Sequence, residues 1–305
     1  MADLKSLRKR IGSVKNTQKI TRAMKMVAGA RLARAQARIV AVRPYAVSTS
    51  AMLSEVVASG AAIEGGGEET GGDADHPLLA RRAEKSALFL VVTSDRGLCG
   101  SFNSSINKAA ERAWHEREGK GQKLEIAVIG RKGTEYFKRR RAPVTHAFEH
   151  VWDNVGPEEA RKIGRTILAP FRAGRVDAIY IVYNEFKSAM TQRVVFEPLL
   201  PLQKSVGVAK IDPDEQQRLA TFSFEPNKGA LLDRLVPMYI EISILRALYE
   251  STASELGARM TAMDSATKNA SELIEKLTLK YNRARQAAIT TEIMEIIGGA
   301  EALKG

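Results

Sequence analysis

The 305-residue sequence has a single cysteine, Cys99. One thiol excludes an intrachain disulfide and a Cys-based zinc site, and it fits a reducing compartment. Aromatic residues make up only 6%, and residues 1–44 hold none. That segment therefore lacks the stacking platform on which many nucleic-acid binders rely. Acids are almost missing from the same end: residues 1–45 carry twelve Lys or Arg against Asp3 alone. No run of 18 apolar residues occurs, so no membrane-spanning helix is expected. Lys or Arg recurs every few residues as far as Arg43, which leaves no apolar core for a secretory signal. An Arg-rich, acid-poor start also suits a transit peptide, and that reading stays open. His76, His115, His146 and His150 are scattered, with none placed to serve Cys99 as a base.

The charge that is present is concentrated. Of the formal net charge of +12, +11 lies in residues 1–45. An anionic partner (nucleic acid, membrane surface or acidic protein) would meet this segment first. Residues 19–40, "KITRAMKMVAGARLARAQARIV", contain six cations, no acid, no proline and one glycine. They read as a slim, cationic helix.

Periodicity extends that helix over residues 3–58. Leu4, Leu7, Ile11, Val14 and Gln18 alternate steps of three and four, and after a small shift Ile20, Met24, Val27 and Arg31 continue. Pro44 predicts a kink or an end. Residues 59–77 are rich in glycine and acid and predict an exposed loop. From Ser86 the period changes. Short branched apolar runs at 86–93, 124–130 and 177–184 alternate with helix-compatible stretches at 103–118, 132–141 and 157–172. That order predicts a parallel, Rossmann-like sheet with right-handed crossovers. Residues 192–200 add an antiparallel strand after a hairpin, and 204–224 read as loop.

The longest element follows. Between residues 231 and 297 the only proline is Pro237 and the only glycine Gly257. Leu235, Met238, Ile242, Leu245, Tyr249, Thr252 and Leu256 keep steps of three and four. So do Met260, Met263, Thr267, Ala270, Ile274, Leu277, Tyr281, Ala284 and Ala288. A seam of about seven heptads results, on a helix roughly 100 Å long, with Gly298-Gly299 as its expected stop. The predicted fold class is α/β with a long antiparallel coiled coil: the terminal helices pair, and the Rossmann-like domain is inserted between them. Composition changes set the segments at 1–58, 59–77, 78–224 and 225–305.

Four motifs carry possible chemistry. "VVTSDRGLCGSFN" (91–103) is a strand, a glycine turn and a helix start, where open parallel sheets place ligands. It lacks both the GxGxxG fingerprint and the GK[ST] of a phosphate loop. Asp95, Gly97, Cys99 and Gly100 read as a structural turn around a small buried thiol, with an activated thiol as the alternative. "GRKGTEYFKRRR" (130–141) is a solvated basic helix or, less simply, an anion site. The basic amino-terminal helix raises nucleic-acid binding, against which stands its use of the same residues for a seam. Residues 281–300, "YNRARQAAITTEIMEIIGGA", crowd Arg283, Arg285, Gln286, Thr290, Glu292 and Glu295 beside an apolar stripe. They read as a surface helix end or as a tip that touches a surrounding protein.

Three stretches together resemble a known family, the gamma subunit of F-type ATP synthases. They are "NTQKITRAMKMVA" (16–28), "TSDRGLCGSFN" (93–103) and residues 281–300. The last fits the family pattern I-T-x-E-x-x-E-x-x-x-G-A at Ile289, Thr290, Glu292, Glu295, Gly299 and Ala300. The resemblance implies a non-catalytic rotor, the central stalk that couples rotation of a proton-driven c-ring to ATP synthesis on a surrounding ring of alpha and beta subunits. It implies one copy per complex, an epsilon subunit beside the foot, no cofactor, no metal and no nucleic acid. It places the chain peripherally on the cytoplasmic face of a bacterial inner membrane, or in a mitochondrial relative. Rotor–stator contacts are implied for Met24, Lys25, Arg259, Arg283, Arg285, Gln286, Thr290, Glu292 and Glu295, with Met24 near an acidic loop of beta. Two rivals remain at this point: a Rossmann-like nucleotide-dependent enzyme and a coiled-coil nucleic-acid binder.

Overall fold

A computed structural model describes residues 2–63, 82–202 and 228–302. Its elements are α1 (Ala2–Ile63), β1 (Ser86–Val92), α2 (Phe102–Glu118), β2 (Lys123–Ile129), α3 (Arg131–Arg139), β3 (Val144–Phe148), a 3-10 turn (Val151–Asp153), α4 (Pro157–Arg172), β4 (Ala178–Phe186), β5 (Gln192–Leu200) and α5 (Lys228–Ala302). Most of the stretch expected as a Gly/acid loop, from residue 64 on, and the loop expected at 204–224 lie outside the described residues.

The five strands lie in the order β3-β2-β1-β4-β5. The first four are parallel and β5 returns antiparallel to β4. β1, at the centre, is buried along almost its whole length, so it reads as an unbroken apolar run rather than an alternation. Its side chains still divide by period two. Ala87, Phe89 and Val91 face α2 and α3 with Ile106, Ala110 and Phe137. Leu88, Leu90 and Val92 face α4 and α5 with Ile163, Phe171, Ile240 and Ile244. Helices on both faces make this a doubly wound sheet whose order reverses between β1 and β4, so the loop after β1 stands at the switch point.

β3 is the strand that periodicity missed. It has five residues at a sheet edge, with Thr145 and Ala147 exposed, and it follows Pro143 and a run of arginines. Other corrections concern the helices. α1 continues through Pro44, which neither ends it nor begins a loop, and it runs five residues beyond 58. Gly298-Gly299 does not stop α5, which reaches Ala302; a helical glycine costs about 1 kcal/mol and is not a terminator by itself.

Contacts divide the chain into two units, Met1–Ala30 with Arg259–Gly305, and Arg31–Ala258. In the first, the beginning of α1 pairs with the end of α5. Gln18 donates to Ser271 Oγ at 2.7 Å, the Thr21 and Thr267 hydroxyls meet at 2.8 Å, and Lys25 Nζ lies 2.5 Å from Asp264 Oδ1. Gly29 stands against Met260 Sδ. Each advance along α1 matches a retreat along α5, so the pairing is antiparallel. The seam of α1 makes no shift after Gln18. Thr21 and Ala28 are buried, whereas Ile20 and Val27 are more than half exposed. The expected turn to Ile20, Val27 and Arg31 followed size, and the pair instead uses small residues. On α5 the expected positions hold: Met263, Ala270 and Leu277 are buried.

In the second unit α5 is covered on more than one side. Leu232, Val236, Ile240, Ile244, Ala247 and Leu248 join the sheet core, as do Leu53 and Val56 of α1. The starts of β1 and β4 are tied by Asp177, whose carboxylate accepts from the backbone N–H groups of Lys85 and Ser86 and from the Ser86 hydroxyl, at 2.9–3.0 Å. Burial opposes its charge, but the bonds from Ser86 and Lys85 outweigh that and hold its pKa below the usual range. A depressed carboxylate pKa contributes stability above the unfolded-state pKa and loses it as pH falls through the folded value. Asp177→Ala should therefore lower stability by about 1–3 kcal/mol at pH 7. The gap to wild type should narrow in thermal melts near pH 3.

Candidate interaction surface

The switch-point turn is filled by its own side chains. Thr93 Oγ1 donates to the Ile129 carbonyl at 2.8 Å and accepts from Gly133 N–H at 2.9 Å. The Asp95 carboxylate accepts from Arg131 N–H, the first of α3, at 2.9 Å. Thus the helix N-terminus that would suit a phosphate already holds an anion. Asn103 Oδ1 accepts from Ser94 N–H, and its amide approaches Cys99 Sγ at 3.3 Å. Cys99 is buried at 2% exposure, and Gly100 takes a positive φ of 57°. Asp95, Cys99 and Gly100 thus build the turn, while Gly97 is exposed on it. The polar side chains of Thr93, Ser94, Asp95 and Asn103 are thus bonded within the turn and to the start of α3.

The residues implied as contacts are distributed along the paired helices. Met24, Lys25 and Arg259 are half-buried in the first unit. Arg283, Arg285, Gln286, Thr290, Glu292 and Glu295 are exposed on α5, as are Ile289, Ile293, Met294, Ile296 and Ile297. Thr290 bonds back to the Gln286 carbonyl at 3.0 Å. From Asp264, opposite Lys25, to Arg283 is about 29 Å of helix, and to Glu295 about 47 Å, at roughly 1.5 Å per residue. These side chains therefore form no single cleft. They line a rod-like stretch of helix, a geometry for touching a surrounding surface at several heights.

Spacing also missed the polar rungs. Asp264 accepts from Lys25 and from Lys268, whose Nζ lies 3.1 Å away, and those bonds lower its pKa. Thr21 and Thr267 at seam positions were the available signal, since two hydroxyls facing each other satisfy one another. The Lys25–Asp264 pair is partly exposed, and exposed pairs contribute little. Asp264→Asn should leave the denaturant midpoint close to that of wild type.

Two helices from opposite ends of the chain, paired antiparallel in one unit and flanking in sequence a doubly wound α/β domain, define the class. It is a chain whose two terminal helices pair with each other and whose switch-point polar groups are bonded within the turn. The family model described as ATP synthase matches residues 3–303. The chain is 56% identical over 322 residues to the ATP synthase gamma chain of Sorangium cellulosum (strain So ce56), and 47% identical over 305 residues to that of Geobacter sp. (strain M21). All of each chain is covered in both comparisons. The central stalk/c-ring structure of the Tetrahymena thermophila mitochondrial ATP synthase has a similar chain at TM-score 0.61 and 25% identity, covering 81% of this chain and 99% of that one. A chain of the Euglena gracilis mitochondrial ATP synthase OSCP/F1/c-ring structure shares the fold at TM-score 0.66 and 19% identity, covering 99% and 95%. This chain belongs to the ATP synthase gamma chain family.

Proposed function

We propose that this chain is the turning shaft of a bacterial ATP synthase. It couples rotation of a proton-driven c-ring to ATP synthesis or hydrolysis on a surrounding ring of alpha and beta subunits, and carries no catalytic site itself. The observation that carries this reading is the exposed, polar-and-apolar end of α5, continuous with a helix pair whose other rungs are satisfied within the chain. One copy per complex suits an asymmetric pair, because the two helices present different side chains on every side. Epsilon and the c-ring are the partners of the α/β domain. Among the described residues no helix is long and apolar enough to cross a membrane. In this reading the chain is held peripherally, through the c-ring, on the cytoplasmic face.

Met24, Lys25, Arg259, Arg283, Arg285, Gln286, Thr290, Glu292 and Glu295 are the contacts of this shaft with its sleeve. Long cations on the outer faces suit a surface that must exchange partners as it turns, since exposed ion pairs are individually weak. Met24→Lys adds a charge where the shaft passes an acidic loop. It should reduce proton pumping per ATP hydrolysed while leaving assembly intact, and an unchanged ratio in membrane vesicles would refute that contact. The isolated chain should hydrolyse no ATP. It should also show no steep salt-dependent affinity for DNA, the mark of a nucleic-acid binder.

A further inference from the structure

α5 is one helix through both units, and in the second it lies against the sheet. Most of that contact is apolar. Burial of apolar surface resists separation but is non-directional, so on its own it does little to stop a helix rolling or sliding on the sheet. A second stripe of α5 is different. Arg246, Glu250 and Ser254 recur every four residues and so share one face, and that face meets β4. Arg246 donates to the Tyr183 hydroxyl and to Glu250 Oε1, both at 3.1 Å. Ser254 donates to the Asn184 carbonyl at 3.0 Å, where both groups are buried. One step further, Gly257 packs against the backbone of Ala189 in the β4–β5 hairpin, so that a Cβ there would lie 3.2 Å from Ala189 Cα. Tyr183 is fully buried and Glu250 is 9% exposed. Burial pushes the Glu250 carboxyl up, offset in part by Arg246.

Such a stripe is costly compared with an apolar one. The Arg246–Glu250 pair is half-buried, with the Glu side chain 11% and the Arg side chain 42% exposed; ion pairs drawn out of water are frequently neutral or unfavourable beside packed hydrocarbon, and their best-attested use is to fix register. We infer that Arg246, held by Glu250 and bonded to Tyr183, together with Ser254 bonded to Asn184 and Gly257 seated on Ala189, forms a clamp that fixes the rotational register of α5 on the sheet and carries torque between the α/β domain and the shaft. The inference rests on the rotor reading above. The bonds are directional, they lie on the helix that continues into the other unit, and they act on β4, an interior strand of the sheet.

The test uses the assembled, membrane-bound complex carrying Arg246→Met, Glu250→Met and Ser254→Ala together, which keep bulk and remove direction. ATP hydrolysis should persist, with a roughly twofold or larger loss of protons pumped per ATP. Adding Ala189→Cys and Gly257→Cys and oxidising should restore the ratio by replacing the clamp with a covalent one; reduction should lower it again. An unchanged ratio in the triple variant overturns the clamp, and so does a loss that the disulfide fails to repair. If the triple variant does not assemble, Ser254→Ala alone decides: a lowered ratio supports the clamp and an unchanged ratio refutes it. A wild-type complex in which hydrolysis drives no pumping would instead refute the rotor reading.

Discussion

Replacing Gly130 with alanine should lower stability by at least about 3 kcal/mol, through two separate costs. Gly130 joins β2 to α3 at φ 93°, a region that side-chain-bearing residues rarely enter. A Cβ built there would also stand 2.2 Å from the Thr93 carbonyl oxygen and 2.8 Å from its carbon. Backbone directly after the central strand, tied by Thr93 N–H to the Ile129 carbonyl, cannot swing aside as a flexible side chain can. Relief would push β2 from β1 and break the Thr93 bonds to Ile129 and Gly133 that seal the switch point. A fall in melting temperature of roughly 10 °C should follow. The same variant tests the claim that this turn is structural. If it were a ligand loop, the damage would appear in binding rather than in folding.

The second large effect belongs to the helix pair. Ala28 is 1% exposed and sits in the antiparallel register between the Lys25–Asp264 and Gly29–Met260 rungs. Ala28→Asp places a carboxylate in that seam. A longer Glu could lead its charge out to solvent, but Asp is too short. The expected cost is about 3 kcal/mol or more. It should appear as a local opening, because the sheet unit has its own core. In hydrogen exchange, protection around residues 263–277 should fall on the order of 100-fold while β1 and β2 keep theirs. Loss of protection throughout both units would contradict their independence. In the assembled complex the same variant should lose most hydrolysis-driven pumping.

Much of this fold could be read from the amino acids, for reasons that differ by element. β1 and β2 announced themselves because both their faces are covered over most of their length, which forces the apolar runs Ala87–Val92 and Ile126–Ile129. The end of α5 was legible because Met263, Thr267, Ala270, Ile274 and Leu277 keep a strict rhythm with one partner. The start of α1 was less so. Its seam is built of Gln18, Thr21 and Ala28, polar or small enough that Ile20 and Val27 outweighed the last two as apparent core, although those larger residues are exposed. β3 escaped notice because five residues at an edge carry too little pattern. The middle of α5 was read as one seam when it has several contacts; period alone could not show that Arg246 and Glu250 were directed at β4 rather than at solvent. As for the candidate surface, the tip at residues 281–300 was named by motif. Its separation from Met24 and Lys25 required the register of the helix pair.

The claim that the chain turns as a shaft is tested most directly by watching it turn. Cys99 is buried, so a cysteine at the exposed Lys108 of α2 gives an accessible thiol for a bead, with the complex fixed to glass through its beta subunits. With ATP supplied, the bead should revolve continuously in one direction and halt when ATP is removed. Steady ATP hydrolysis by a complex whose bead stays still would contradict the account.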